Sequence, residues 1–163
     1  MHENSMELCA SFVMEYLDDR EELSIGEIGS YDVNGTYSNL FGGPKGWTYT
    51  GYDIREGPNV DVVLEADWAE CSVNLPTHDV IICGQVLEHV RNPFILMDGI
   101  ASLLQMGGLV WVCAPNHWPF HEHPIDCFRF WPDGLRSVME DAGLAVIECE
   151  AKGWDTYAVG KKK

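Results

Sequence analysis

The chain has 163 residues, of which 46% are apolar and 22% charged, values typical of one globular domain of 18.3 kDa. Ten basic residues stand against 26 acidic ones, and the net charge of −16 disfavours nucleic acid or an anionic membrane as a partner, because both require Lys and Arg. No stretch approaches the ~18 uncharged apolar residues of a membrane span, and the N-terminal segment lacks the basic residues of a secretory leader. We therefore expect a cytoplasmic protein, and because the six cysteines are scattered without a C-x-x-C pair, reduced thiols.

Apolar periodicity predicts strands and helices in alternation along one domain, residues 1–163, with no repeat or linker. The predicted strands are Leu23–Ile28, Trp47–Ile54, Val60–Leu64, His78–Cys83, Leu109–Ala114, Leu144–Glu150 and Thr156–Val159. The predicted helices are an N-terminal one within residues 1–20 that ends near Asp19, a short one at Tyr37–Phe41, one from Pro93 to a stop at Gly107-Gly108, and one at Pro132–Ala142. The alternation predicts an α/β fold with a doubly wound, mostly parallel, seven-stranded sheet, and the short last connection predicts an antiparallel pair at one edge.

The loop after the first predicted strand is the first candidate ligand site, since ligands bind beyond the carboxyl ends of parallel strands. Gly29 directly follows the strand and permits a tight turn with close approach of the backbone to a ligand. Tyr31 stands where the G-x-G-x-x-G pattern needs its second glycine, which disfavours a dinucleotide. Glu27 would repel a phosphate, so the loop favours a cationic or zwitterionic ligand.

Two further acids follow the second and third strands. Asp53, 26 positions after Glu27, can accept hydrogen bonds from both hydroxyls of a ribose. Asp67 stands beside Trp68, a pair that can read the edge of an adenine and cover its face. An aspartate at a strand end is commonly a turn residue, and a lone tryptophan commonly belongs to the core. The order of the three acids along the chain is what favours a shared ligand.

With these motifs the sequence resembles the class I S-adenosylmethionine-dependent methyltransferases, particularly the type-11 family, over nearly the whole chain. The matching stretches are Glu27-x-Gly29, Gly51 to Ile54, Asp67-Trp68, His78 to Val90, Leu103 to Gly108, and Pro115. The resemblance implies a Rossmann-like fold with S-adenosylmethionine as cofactor. It implies that Glu27 and Gly29 border the methionine part of the cofactor. Asp53, in one motif with Ile54, would then bind the ribose, and Asp67 with Trp68 would bind the adenine. Gly84 and Gln85 would then lie against the sulfonium side, and Ser30, Asn34 and Gly35 would complete the loop, in which Tyr31 replaces the usual second glycine.

The long loop after the fifth strand, residues 115–131, is the candidate active site, because it can close over a methyl acceptor. It holds three of the six histidines. An oxygen or nitrogen acceptor needs a proton removed, which histidine does well near neutral pH. We predict His121 or His123 as the base, Asp126 as the residue that orients it or holds the acceptor, and Arg129 as a group that binds an acidic or hydroxylated acceptor. Alternatively, Asp126 and Arg129 pair in a purely structural clasp with Pro124.

A metal site is considered and not predicted. His121, His123 and Asp126 are ligand types for zinc or iron. However, Pro124 constrains the loop and no fourth ligand is evident elsewhere in the chain. His89 is interpreted as a helix-start or packing residue.

The sequence therefore predicts methyl transfer to an oxygen or nitrogen of a small-molecule or glycan acceptor. The alternative is a catalytically silent domain that binds S-adenosylmethionine or a partner protein. An NAD-dependent oxidoreductase is disfavoured by Tyr31, and a nucleic-acid acceptor by the net charge and by the lack of an Asn/Asp-Pro-Pro-aromatic motif. The sequence leaves the oligomeric state open.

Overall fold

The computed structural model describes residues 3–42, 45–64 and 75–163. Its seven strands are β1 (Ser24–Ile28), β2 (Thr48–Asp53), β3 (Val62–Val63), β4 (His78–Gly84), β5 (Leu104–Pro115), β6 (Leu144–Lys152) and β7 (Asp155–Lys162). The described α-helices are α1 (Glu3–Tyr16), α2 (Pro93–Leu103) and α3 (Pro132–Asp141), with short 3-10 helices at Tyr37–Leu40 and Leu87–His89.

The strands form one sheet in the order β3-β2-β1-β4-β5-β7-β6. The first five strands are parallel, and β7 runs antiparallel to both of its neighbours. The predicted doubly wound sheet with an antiparallel pair at one edge is confirmed, and the reversed strand lies one position in from that edge. Strand order reverses between β1 and β4, which is where open α/β sheets bind ligands.

Side chains alternate between two apolar cores on opposite faces of the sheet. In β4, Val80 and Ile82 pack into the core that contains α1, whereas Ile81 and Cys83 pack into the core that contains α2 and α3. Both faces of the central strands are covered, which explains the uninterrupted apolar run of β4. The rigid centre of the sheet fixes the loops that follow β1, β4 and β5.

The predicted helix stop at Gly107-Gly108 is wrong. Helix α2 ends at Leu103, and β5 begins at once with Leu104, which is 1% exposed and pairs with His78. Gly107 has φ +79°, and a Cβ on Gly108 would lie 2.9 Å from the Gln105 carbonyl oxygen. The two glycines therefore lie in the irregular first part of β5, where the register of the β4–β5 pairing shifts. They do not end a helix.

The last strand is longer than the predicted Thr156–Val159, because β7 pairs with β5 on one side and β6 on the other over nearly its whole length. Helix α1 ends at Tyr16 rather than near Asp19. Within the part of the chain that the structure describes, no helix reaches the length and apolarity of a bilayer span.

Candidate active site

A cavity of about 440 Å³ opens at the carboxyl ends of β1, β2 and β4 and extends to the loop after β5. Nine residues predicted from the sequence line it: Gly29, Asn34, Gly35, Asp53, Ile54, Gly84, Gln85, His121 and His123. The predicted cofactor side and the predicted acceptor side thus face one cavity. Asp67 and Trp68 lie outside the described residues.

The loop after β1 is shaped by its glycines. Gly29 has φ +80°, and its N–H donates to the Tyr52 carbonyl oxygen at 2.8 Å. A Cβ at Gly29 would overlap the Val86 side chain, so only glycine lets the segment after β4 approach here. The Asp32 carboxylate then accepts a hydrogen bond from the Gly35 N–H at 2.7 Å, which closes the turn that carries Asn34.

Asp53 lies at the rim of the cavity, 8% exposed. One carboxylate oxygen accepts from the Tyr31 N–H at 3.2 Å and the other from the Arg55 N–H at 3.0 Å. The guanidinium carbon of Arg55 lies over the Tyr31 ring, 5.0 Å from the ring centroid. The same ring occupies the space that a side chain at Gly57 would need. The Tyr31 ring thus packs against the segment after β2, while the Tyr31 N–H donates to Asp53.

Glu27 and Ser30 are buried, each 1% exposed, and neither lines the cavity at whose rim Asp53 lies. The Glu27 carboxylate therefore does not face the cavity as the sequence predicts. Glu27 is 1% exposed, and its carboxylate accepts from the Tyr49 hydroxyl at 2.6 Å. Burial raises the pKa of Glu27 to about 7, against the lowering effect of the Tyr49 hydrogen bond. The Ser30 carbonyl oxygen accepts from the Asn59 amide at 3.0 Å, which ties the loop to the segment after β2.

The end of β4 forms the floor of the cavity. A Cβ at Gly84 would overlap the Tyr37 hydroxyl, so a larger residue would displace the 3-10 helix above it. Gln85 has φ +60°, and its side-chain amide donates to the Asp155 carboxylate at 2.9 Å. The amide of Gln85 therefore holds β4 to β7, while the main chain of Gln85 turns along the cavity.

Three histidines cluster on the opposite wall. The centroids of the His89 and His121 rings are 4.9 Å apart, those of His89 and His123 5.9 Å, and those of His121 and His123 5.8 Å. His89 lines the cavity, and its Nδ1 lies 2.6 Å from the Ile125 carbonyl oxygen. Burial lowers the pKa of His89, against the raising effect of that hydrogen bond.

Asp126 and Arg129 form a clasp that does not line the cavity. The two terminal guanidinium nitrogens of Arg129 donate to the two oxygens of Asp126 at 2.5 and 2.7 Å. These hydrogen bonds hold the pKa of Asp126 well below its usual range. The remaining contacts of the guanidinium go to carbonyl oxygens of the same loop, at Trp118, Pro119 and Phe128. Asp126 also accepts from the His121 N–H at 2.8 Å. The clasp therefore fixes the position of His121.

Comparison with known proteins gives the family. A family model described as a methyltransferase domain matches residues 1–149. The chain belongs to this methyltransferase family. This family carries the number 23, whereas the sequence motifs resemble the type-11 family. The predicted class, that of the S-adenosylmethionine-dependent methyltransferases, is confirmed. No curated protein matches the sequence of this methyltransferase significantly.

Solved structures share the fold of this methyltransferase at low identity. The 1,6-didemethyltoxoflavin-N1-methyltransferase of Burkholderia thailandensis, crystallised with 1,6-didemethyltoxoflavin and S-adenosylhomocysteine, is 14% identical, with a TM-score of 0.74 over 98% of this chain and 78% of that one. A SAM-dependent methyltransferase from Aquifex aeolicus is 14% identical, with a TM-score of 0.69 over all of both chains. One from Archaeoglobus fulgidus is 18% identical, with a TM-score of 0.66 over 96% of this chain and 94% of that one.

The residues of the cavity fit the cofactor of the class, S-adenosylmethionine. The backbone approaches closely at Gly29 and Gly84, where no side chain could be added, and a buried carboxylate stands at the end of β2. The uncharged rim residue Ile54, 40% exposed, offers an apolar surface beside it.

His89 is the site residue that sequence reasoning missed. Its place in the connection that follows β4, at the end of the 3-10 helix Leu87–His89, puts it near the same edge of the sheet as the other loops, and the sequence shows this place. Periodicity alone could not say that residues 89 and 121 meet, because this depends on how the loop after β5 folds back.

Proposed function

We propose that this methyltransferase transfers the methyl group of S-adenosylmethionine to an oxygen or nitrogen of a small-molecule or glycan acceptor. The observation that carries the proposal is the single cavity lined by Gly29 and Asp53 on one side and by His121 and His123 on the other. Positioning two reactants in one site supplies much of the acceleration in such a displacement.

On the cofactor side, we assign the ribose hydroxyls to Asp53, whose oxygens keep lone pairs beyond the two backbone N–H groups that they bind. Gly29, Asn34 and Gly35 would border the methionine part, and Gly84 with the main chain of Gln85 the sulfonium side. Ile54 would cover the adenine, with Asp67 and Trp68 assigned to its edge and face. When bound, the cofactor supplies a methyl group on an activated leaving group. Glu27 and Ser30 support the loop from below.

On the acceptor side, we assign His123 as the general base, because it lines the cavity and is exposed to an entering acceptor. His121 is positioned beside it by Asp126. Arg129 acts on the loop through Asp126, since its donors are engaged there, and it does not serve as an acceptor-binding group. The whole chain from 1 to 163 would then act as one catalytic domain, with α1 in the core and the loop 115–131 reading the acceptor.

A small-molecule acceptor is supported by the composition of this wall. Val86, Val90 and Trp118 add apolar and aromatic surface to the histidines, which is the usual mixture in pockets for organic ligands. The Burkholderia enzyme with the same fold was crystallised with such a molecule. A glycan could stack on Trp118 in the same place.

The test is methyl transfer from labelled S-adenosylmethionine to pooled small metabolites and oligosaccharides. We expect a labelled product with the wild-type protein, loss of turnover in His123→Ala, and normal turnover in His117→Ala, whose ring stacks on Trp154 outside the cavity. Both variants should bind S-adenosylhomocysteine as tightly as the wild type. If the cofactor binds but no pool yields a labelled product, the domain is catalytically silent and the proposal is wrong.

A further inference from the structure

A buried carboxylate, Glu88, lies beside the histidine cluster. The side chain of Glu88 is 0% exposed, and neither of its oxygens has a hydrogen-bond partner among the residues that the structure describes. Burying a carboxylate without a partner is costly, so the site should supply one. Nε2 of His89, a residue of the cavity wall, lies 3.6 Å from the Glu88 Oε1 atom.

Glu88, His89 and His121 each place one potential ligand atom within 4.8 Å of the others. The other ring nitrogen of each histidine faces a carbonyl oxygen: Nδ1 of His89 lies 2.6 Å from that of Ile125, and Nδ1 of His121 3.1 Å from that of Pro119. Because a carbonyl oxygen only accepts, the tautomer that makes both hydrogen bonds has its proton on Nδ1 and leaves the Nε2 lone pair available. Outer hydrogen bonds of this kind orient histidines that ligate metals.

We propose that Glu88, His89 and His121 bind a divalent transition-metal ion. Two imidazoles and one carboxylate are a ligand set typical of catalytic zinc and of non-haem iron(II). Ligand atoms around a tetrahedral ion lie about 3.3 Å apart, so a small rotation of the side chains closes the site. The positive charge of Arg129 does not oppose the binding of a cation here, because it is paired with the Asp126 carboxylate. His123 stays outside the ligand set.

The metal site also bears on which acceptor atom is methylated, an inference that rests on the proposed function. A metal ion on the cavity wall with open positions binds an oxygen and lowers the pKa of a bound hydroxyl. The ring of His123, with its centroid 5.9 Å from that of His89 and 5.8 Å from that of His121, is the group that we assign to take up that proton. The geometry therefore favours a hydroxyl acceptor, and so methyl transfer to oxygen rather than to nitrogen.

The experiment is a calorimetric titration of the chelator-treated protein with Zn²⁺ at physiological ionic strength, which screens diffuse attraction to the acidic surface. We expect one ion per chain and a rise of the melting temperature, because only the folded protein presents the three ligands. Glu88→Gln and His121→Gln should each weaken binding at least about tenfold. The matched control His117→Gln should bind as the wild type does.

The proposal is overturned if no ion binds, or if both ligand variants bind Zn²⁺ as tightly as the control. His121 is partly exposed on a loop, so His121→Gln decides the matter even if Glu88→Gln fails to fold. S-adenosylhomocysteine is titrated into the same samples. If the cofactor product binds without Zn²⁺ binding, only the metal site is wrong and the proposed methyl transfer still stands.

Discussion

Asp53 is the single residue on which cofactor binding depends most in this account. Its carboxylate is nearly buried, is fixed by two backbone N–H groups and faces the cavity. The sequence predicted its place from the order of acids after successive strands, although an aspartate at a strand end is by itself commonly a turn residue. Glu27 followed the same logic, but its carboxylate lies under the loop, since the orientation of a side chain at a strand end depends on packing that periodicity does not describe.

Replacing Asp53 by Ala should weaken the binding of S-adenosylhomocysteine by ~1–3 kcal/mol, the usual loss when a charged hydrogen-bond acceptor is removed. Isothermal calorimetry measures this change. Asp98→Ala, on an exposed position of α2, is the control and should bind normally. Equal affinity of the two variants would reject the assignment of Asp53 to the ribose.

Glu27 predicts a dependence of stability on pH. With a pKa of about 7 in the folded protein, Glu27 holds a proton that the unfolded chain releases near its ordinary pKa of 4.5. The contribution of Glu27 to the free energy of unfolding therefore falls as pH rises between those two values and stays low above pH 7.

In Glu27→Gln this pH-dependent contribution is absent. Between pH 5 and pH 8 the free energy of unfolding of the wild type should therefore fall by roughly 1–3 kcal/mol relative to that of the variant. Urea unfolding at several pH values measures the difference. Glu7→Gln, at an exposed position on α1, should differ from the wild type by a constant amount. A constant difference for Glu27→Gln as well would show that burial does not shift this carboxyl group.

At the scale of elements, the loop 115–131 depends on the Asp126–Arg129 clasp for its conformation. Asp126→Asn removes the charge that pairs with Arg129 and releases His121. A displacement of about 1 Å in a catalytic group costs on the order of a hundredfold in rate. We expect turnover to fall by that order while the affinity for S-adenosylhomocysteine changes little.

The control for the clasp is Glu140→Gln on α3, which removes a surface ion pair with Arg136 of 3.9 Å. It should leave turnover unchanged, because exposed pairs contribute little. If Asp126→Asn turns over at the wild-type rate, the clasp has no part in positioning the acceptor wall.

The contact between β4 and the 3-10 helix at Tyr37–Leu40 makes a second prediction at this scale. Gly84→Ala should lower the free energy of unfolding by ~1–3 kcal/mol, since the new methyl group overlaps the buried Tyr37. Gly134→Ala in α3 meets nothing within 4 Å and should raise it by up to ~1 kcal/mol. Urea denaturation of the pair tests this, and equal stabilities would contradict the packing described for β4.

The boundaries of elements show where reasoning from sequence fails. The strands β1, β2 and β4 were predicted to within about two residues, because their apolar runs end at glycines or acids. The end of α2 was not, since Gly107 and Gly108 look the same in a sequence whether they stop a helix or bend a strand. Only the pairing of Leu104 with His78 distinguishes the two cases.

At the scale of the whole molecule, the alternation of elements was enough to predict the sheet, and the comparisons confirm the class. The lining of the cavity was predicted where it follows from strand ends, as at Gly29, Asp53 and Gly84. It was not predicted at His89, because the approach of His89 to His121 depends on the path of a long loop. Long-range contacts of this kind come from tertiary packing, which local patterns do not encode.

The central claim is that one cavity holds the cofactor against the histidine wall, and a crystal structure with S-adenosylhomocysteine tests it most directly. We predict that the ribose hydroxyls lie on the Asp53 carboxylate and that the sulfur faces His121 and His123 across the cavity. An adenosyl group bound elsewhere, or a sulfur turned away from the loop after β5, would contradict the account.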